Sequence, residues 1–204
     1  MIVTDLKKVP RKNKYDVYVD GEKAFCLSDV GIINAGIKVG CTLSEEFFQS
    51  TLKELTCADV TETLLNILGQ TALTESVARS KLKQKGFDDE AIDYAIRKAV
   101  SYGYINDEEY AKSYISYTNS KSKLRIVSEL QKKGIDKRLF ADALDEYDEE
   151  NACLVAMRSS VKRVLDEQEK TKLFSRFYMQ GFPLSTIKNA YQELIDDITG
   201  EDDA

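Results

Sequence analysis

The spacing of apolar residues changes character once along this chain. Tyr15-Asp-Val-Tyr-Val19 alternates in the manner of a half-buried strand. Asp20-Gly21 follows as a two-residue hairpin signal, and Ala24-Phe-Cys-Leu27 resumes as a second strand. Ser28 can cap a short helix reaching Ala35, residues 37–40 read as a short extended piece, and Ser44-Glu-Glu can open a helix into Leu55. Residues 1–57 are thus predicted to form a small α+β cap around a β-hairpin. From residue 58 onward the apolar spacings become three and four, and the reading is helical to the end. Nine helices are predicted there, with turns near residues 69–73, 86–88, 103–106, 119–122, 134–136, 147–149, 167–170 and 181–183.

A single local pattern occurs three times within this helical region: Leu82-Lys-Gln-Lys-Gly86-Phe87, Leu130-Gln-Lys-Lys-Gly134-Ile135 and Phe177-Tyr-Met-Gln-Gly181-Phe182. A glycine that ends a helix takes a left-handed backbone conformation without a Cβ penalty. In that ending the residue four before the glycine meets the residue just after it. Here the pairs are Leu82 with Phe87, Leu130 with Ile135, and Phe177 with Phe182. Asp88 and Asp136 then suit the cap of a following helix, and Pro183 suits a helix's first turn. Six residues past each glycine stand Ile92, Phe140 and Ile187; nine past stand Ala95, Ala143 and Ala190; ten past stand Ile96, Leu144 and Tyr191. That is one buried face at helical spacing. One glycine cap is uninformative in a helical protein, but three in register, 48 and 47 residues apart, define a repeat. The predicted fold is mainly α: three tandem three-helix repeats at 58–105, 106–147 and 148–197 in an elongated, curved array, behind the cap and before an acidic tail at 198–204.

Charge refines this picture. The 204 residues carry a formal net charge of −6, unevenly spread. Residues 77–138 hold 14 basic and 9 acidic side chains, while residues 139–204 hold 7 and 15. A basic middle between acidic flanks marks an anionic partner for the middle alone, or else an uneven scatter of solvated helix faces. The basic candidates are Lys81, Lys83, Lys85, Lys121, Lys123, Arg125, Lys132 and Lys133. Lysines near a helix C-terminus also complement its dipole, which is the plainer reading of any one of them. Tyr102, Tyr104, Tyr110, Tyr114 and Tyr117 form an aromatic group, expected to pack between repeats rather than to stack on bases. The acidic run from Asp142 to Glu150 lacks the glycine of a calcium loop and reads as a solvated helix end followed by an acidic helix start.

The chain has no histidine and four cysteines, Cys26, Cys41, Cys57 and Cys153, none in a C-x-x-C pair. Ser–His and Cys–His catalysis are therefore excluded, and nothing singles out a carboxylate or lysine site. No catalytic residue, cofactor or metal is expected, and the cysteines read as reduced thiols. No stretch is apolar enough to span a bilayer and the basic start lacks a signal-peptide core, so a cytoplasmic, monomeric protein is expected.

Gly103-Tyr-Ile-Asn-Asp-Glu-Glu-Tyr-Ala111 resembles a signature of the RecX family, glycine, any residue, leucine or isoleucine, Asn-Asp, two further residues, an aromatic, then alanine. The Lys-Gly-Phe of residues 85–87, the Lys-Gly-Ile of residues 133–135 and the Gln-Gly-Phe of residues 180–182 resemble its repeat ends, and the hairpin at Asp20-Gly21 is similar to the extension of Gram-positive members. The likeness spans residues 64–194. Two places depart from it. Gln70-Thr-Ala-Leu-Thr-Glu75 lacks the family's basic residue, and Lys121-Ser-Lys-Leu-Arg125 stands where members often have glycine. The resemblance implies tandem three-helix repeats and a non-catalytic regulator that binds the RecA filament on single-stranded DNA. It implies restraint of strand exchange, ATPase and co-protease activity in DNA repair and the SOS response, with weak DNA binding in some members. A nucleic-acid-binding helical module and a generic helical-repeat scaffold are the alternatives.

Overall fold

The computed structural model describes residues 1–11, 13–47 and 52–201. It opens with three antiparallel strands in sequential order: β1 (Val3–Lys8), β2 (Lys14–Val19) and β3 (Glu22–Ser28). The β2–β3 turn has Asp20 at φ 50° and Gly21 at φ 92°, both positive, as a two-residue loop matched to strand twist requires. The Asp20 carboxylate accepts a hydrogen bond from the Ile2 N–H at 2.8 Å, and the Gly21 N–H donates to Thr4 Oγ1 at 3.1 Å, which laces the loop to β1.

β1 was not predicted. Only Val3 is buried and Leu6 half-buried; Thr4, Asp5, Lys7 and Lys8 are exposed. It is an edge strand whose lysines and acid discourage further pairing, so it carries little apolar alternation. Residues 37–40 form a turn rather than an extended piece: Gly40 sits at φ 87° and its N–H donates to the Val3 carbonyl at 2.8 Å. Val3, Val17, Val19, Leu27, Ile37 and Leu43 make the core of this cap. Helix α1 (Asp29–Asn34) packs on the sheet, its first turn capped by Ser28 Oγ at 2.9 Å from the Gly31 N–H. Ser44 Oγ accepts from the Phe47 N–H at 3.1 Å. The helix expected from there into Leu55 crosses residues 48–51, which lie outside those described.

The rest is helical: α2 (Leu52–Leu68), α3 (Glu75–Gln84), α4 (Asp89–Ser101), α5 (Asp107–Tyr117), α6 (Lys123–Lys132), α7 (Ala141–Asp145), α8 (Glu149–Arg158), α9 (Glu167–Met179) and α10 (Leu184–Glu201). The chain divides into two compact units, Met1–Asn106 and Asp107–Ala204. In the first, α2, α3 and α4 enclose a core that includes Leu64, Leu82, Ile92 and Ile96. In the second, α5, α6 and α7 enclose Ile115, Ile126, Leu130, Ile135 and Phe140, and α8, α9 and α10 enclose Met157, Phe177, Phe182 and Ile187. Tyr147 packs against both of these cores, and its hydroxyl donates to the Lys121 carbonyl at 2.8 Å.

The three glycine turns adopt one geometry. Gly86, Gly134 and Gly181 have φ 87°, 85° and 92°. Each N–H donates three residues back, at 2.9 Å, to Lys83, Gln131 and Tyr178. Each following N–H closes a six-residue loop: Phe87 to Leu82 at 3.4 Å, Ile135 to Leu130 at 3.1 Å and Phe182 to Phe177 at 3.2 Å. The six side chains of these pairs are all buried. Burying a side chain of that size contributes about 2 kcal/mol, so each cap also anchors a core.

Three details differ from the pattern. In the middle repeat the helix after the glycine is broken into a 3-10 turn, Lys137–Leu139, and the five-residue α7. Phe140, at φ −134°, joins the two and is buried. Residues 167–170 are no turn but the start of α9: Asp166 accepts from the Gln168 and Glu169 N–H groups, and the Glu169 carboxylate accepts from the Asp166 N–H. This capping box explains a polar stretch with the look of a loop. At the C-terminus α10 runs through Gly200 to Glu201, so the expected tail is helical in its first residues.

Candidate functional site

The candidate basic residues fall into two sets, one in each unit. Lys81 and Lys83 lie in the last turn of α3 and Lys85 is its C-cap, where positive charge meets the negative end of the helix dipole. All three are exposed. Lys83 pairs with Asp89 of α4 at 2.8 Å, across the Gly86 turn. Among the described residues, Lys81 and Lys85 direct their side chains to no hydrogen bond or ion pair.

The second set surrounds α6. Ser122, wholly buried, caps the helix by accepting from the Arg125 N–H at 3.2 Å, and its hydroxyl donates to the Gln180 carbonyl at 2.7 Å. On one side of α6, Glu129 gathers three groups. Lys121 Nζ donates to it at 2.6 Å, Arg125 Nε donates at 3.0 Å, and the Tyr114 hydroxyl also donates. Lys121 Nζ lies 2.6 Å from the Tyr114 oxygen as well. Burial alone would raise the Glu129 carboxyl; the hydrogen bonds from Lys121, Tyr114 and Arg125 outweigh it and hold the group down to about 2. The Lys121 ammonium is raised in turn, first by its bond to Glu129 and then by Tyr114.

Lys123 is also engaged. Its backbone N–H donates to Glu149 Oε1 at 2.7 Å and its Nζ to the Asp145 carbonyl at 3.1 Å, tying the start of α6 to the α7–α8 corner. Lys133 is the C-cap of α6, with its ammonium 5.6 Å from the Tyr110 ring centre. Lys132 is exposed, and among the described residues its side chain has no bonded partner. The sequence-predicted cluster is therefore of two kinds. Lys121, Lys123 and Arg125 work inside the fold, whereas Lys81, Lys85 and Lys132 offer charge to solvent. Glu129 was missed, although its i,i+4 spacing from Arg125 was visible. Exposed Arg97 and Lys98 on α4, and Lys137 on the 3-10 turn, add basic surface that the sequence reading passed over.

The tyrosines also divide. Tyr110 and Tyr114 are half-buried against the middle core, as packing residues are. Tyr102, Tyr104 and Tyr117 are exposed, so packing does not account for them. In the acidic run, Asp148 caps α8 by accepting from the Asn151 N–H at 2.9 Å, and Glu149 and Glu150 occupy its first turn. Asp142, Glu146 and Asp148 border an open cleft of about 660 Å3 between α5, α7 and α8.

The four cysteines are free thiols. Burial pushes the Cys153 thiol up to about 12, with Glu149 adding to the effect, and burial raises Cys26 and Cys57 too. A thiol so shifted is a poor nucleophile. Among the described residues no cluster of three or more cysteine, aspartate or glutamate side chains could hold a metal ion, and no helix is long and apolar enough to cross a membrane.

Helical modules repeated on a glycine cap, following a small N-terminal sheet, define a helical-repeat protein. Known proteins resolve that class further. The family model described as "RecX, second three-helix domain" matches residues 106–144. "Regulatory protein RecX" of Caldanaerobacter subterraneus subsp. tengcongensis is 32% identical over 193 residues, covering 93% of this chain and 98% of that protein. "Regulatory protein RecX" of Clostridium acetobutylicum is 28% identical over 195 residues, covering 90% and 91%. A crystal structure of RecX from Lactobacillus salivarius superimposes with a TM-score of 0.57 at 26% identity, over 68% of this chain and 96% of that one. A further crystal structure of regulatory protein RecX shares the fold, with a TM-score of 0.52 at 23% identity. The chain belongs to the RecX family.

Proposed function

We propose that this protein binds the RecA filament on single-stranded DNA and restrains its strand-exchange, ATPase and co-protease activities. The observation that carries the reading is family membership over nearly the whole chain, to relatives named as regulatory proteins. The exposed lysines support it: a nucleoprotein filament is a long anionic partner, and Lys81, Lys85 and Lys132 hold charge that the fold does not consume. Residues 58–105, 106–147 and 148–197 act as its three helical modules, and residues 1–57 as a stabilising cap.

The test is RecA ATPase and strand exchange on single-stranded DNA, with the protein titrated in. Suppression at well under one molecule per RecA is expected, because a filament-directed regulator acts on many subunits at once. No effect at any ratio, with the protein folded, leaves a helical-repeat scaffold for another partner. The basic stretch 77–138 favours a second reading, direct DNA binding, which differs in outcome: affinity for bare DNA that falls steeply with salt, and no dependence on RecA.

A further inference from the structure

Where α2 packs on α4, a cleft of about 190 Å3 stays open within the first unit. The residue sizes explain it. Ala95 and Ala99 stand one turn apart on the same face of α4, and their methyl groups are too short to fill the space there. With Leu64 of α2 they are buried and form the floor. Leu65, Tyr102 and Tyr104 also line the cleft but are exposed, so they form its mouth. The two tyrosines flank Gly103, whose left-handed backbone turns the chain after α4, and their rings stand 6.1 Å apart and tilted by 56°. Exposed apolar side chains gathered around a concave apolar floor are the mark of a binding site rather than of a closed core.

Besides the tyrosine hydroxyls, two polar side chains line the cleft. Thr61 Oγ1 donates to the Cys57 carbonyl at 2.7 Å and is thereby engaged within α2. Lys98 is the one charged side chain among the lining residues. It is exposed, and among the described residues its ammonium makes no hydrogen bond or ion pair. It lies 5.9 Å from the ring centre of Tyr94, one turn earlier on α4. A lysine in the last turn of α4 also suits the helix dipole, which accounts for the charge but not for the apolar cleft beside it.

We propose that this cleft takes one large apolar side chain from an acidic segment of a partner protein, with Lys98 meeting a carboxylate beside that anchor. The volume falls below the roughly 300 Å3 at which pockets for small molecules begin, so it suits a single side chain rather than a cofactor. An apolar anchor seated in a pocket can carry most of the affinity of an interface, and a charge at the rim selects the partner. No carboxylate lines the cleft to repel an acidic segment. A nucleic acid fits less well: the tilted tyrosine rings offer no flat stacking platform, and a single lysine cannot follow a phosphate chain. The inference stands independently of the RecA reading, since the first unit alone defines the cleft.

The experiment is an amide-resolved NMR titration of the full chain with the peptide acetyl-Asp-Asp-Phe-Asp-Asp-amide. Three controls run beside it: the peptide with alanine for phenylalanine, the peptide with lysine for every aspartate, and a short oligothymidine. The acidic phenylalanine peptide is expected to give saturable shifts at residues 61–65 and 95–104, and each control peptide to bind about tenfold more weakly. Lys98→Glu should weaken the acidic peptide by about tenfold and turn the preference toward the lysine peptide. Replacing Tyr102 and Tyr104 together by alanine should weaken binding by about tenfold. The fold should not suffer, since those side chains are 67% and 59% exposed. Equal binding of the alanine or lysine peptide, or no saturable shift with the acidic phenylalanine peptide, overturns the proposal. So does a tyrosine double variant that binds like the wild type. Oligothymidine that shifts the same amides at higher affinity also overturns it, and makes the cleft a nucleic-acid site.

Discussion

Gly103 and Gly181 both hold left-handed backbone, at φ 73° and 92°, but their surroundings differ. A Cβ on Gly103 would meet nothing within 4 Å, whereas one on Gly181 would lie 2.8 Å from Ser122 Oγ and 3.1 Å from Leu124 Cβ. Ser122 cannot retreat without breaking its bond to the Gln180 carbonyl. Gly103→Ala should therefore cost about 1 kcal/mol, the left-handed penalty alone. Gly181→Ala should cost about 3 kcal/mol, because overpacking adds to that penalty. Urea denaturation of the two variants reads the difference. The φ requirement at these glycines was legible because a helix stop is a local event. The close approach at Gly181 was not, since it depends on the bond from Ser122 to Gln180, residues 58 positions apart. Glu129 shows the same limit: Arg125 is a sequence neighbour, but Tyr114 is brought to the carboxylate by the packing of α5 on α6. Its carboxyl, held down to about 2, contributes stability that is fully present above the unfolded value near 4.5 and is lost as pH falls through the folded one. Glu129→Gln should destabilise by about 2 kcal/mol at neutral pH. The gap between wild type and variant should close between about pH 5 and pH 2, as paired thermal melts would show.

At the level of elements, start signals were as informative as stops when a cap lay beside its helix, and misleading when its residues also suit turns. Asp88 caps α4 as read from the sequence, and Thr74 and Ser122 cap α3 and α6 in the same way. Asp166 to Glu169 looked like a loop because every residue in the box is polar. β1 escaped notice because an edge strand with one solvated face need bury little, and the α7 break escaped because Phe140 is spaced for a helix even where the backbone is not helical. Ser122 is the cap with most at stake. It satisfies one of the orphan donors of α6 and, at the same time, the carbonyl of Gln180 at the end of α9. Ser122→Ala removes both bonds in a fully buried position and should cost about 2 kcal/mol. Faster hydrogen exchange is expected at both the first turn of α6 and the 181–183 turn. Loss of protection at α6 alone would mean that the link to Gln180 contributes nothing.

On the scale of the whole molecule, the sequence exposed the charge imbalance but could not sort its members. Fourteen basic residues in the middle of the chain look equivalent until the fold assigns some of them partners. Lys121 is committed to Glu129, and Lys123 to the Asp145 carbonyl, while Lys81, Lys85 and Lys132 stand in solvent. That division predicts two separable phenotypes. Lys121→Ala leaves Glu129 short of a donor and should lower the melting temperature, with any change in RecA inhibition following from lost fold. On the proposed function, the triple variant Lys81→Ala, Lys85→Ala and Lys132→Ala should melt with the wild type yet require more protein to inhibit RecA ATPase. If these side chains meet phosphates, each removes close to one released counterion, so the slope of log affinity against log salt should become shallower by about 2 to 3. If they meet carboxylates on the filament protein, inhibition should still weaken, but charge-reversing substitutions in that protein should restore it. A triple variant that inhibits like wild type at every salt concentration would move the contact to surfaces the charge pattern does not mark, the exposed tyrosines Tyr102, Tyr104 and Tyr117 being the first to replace.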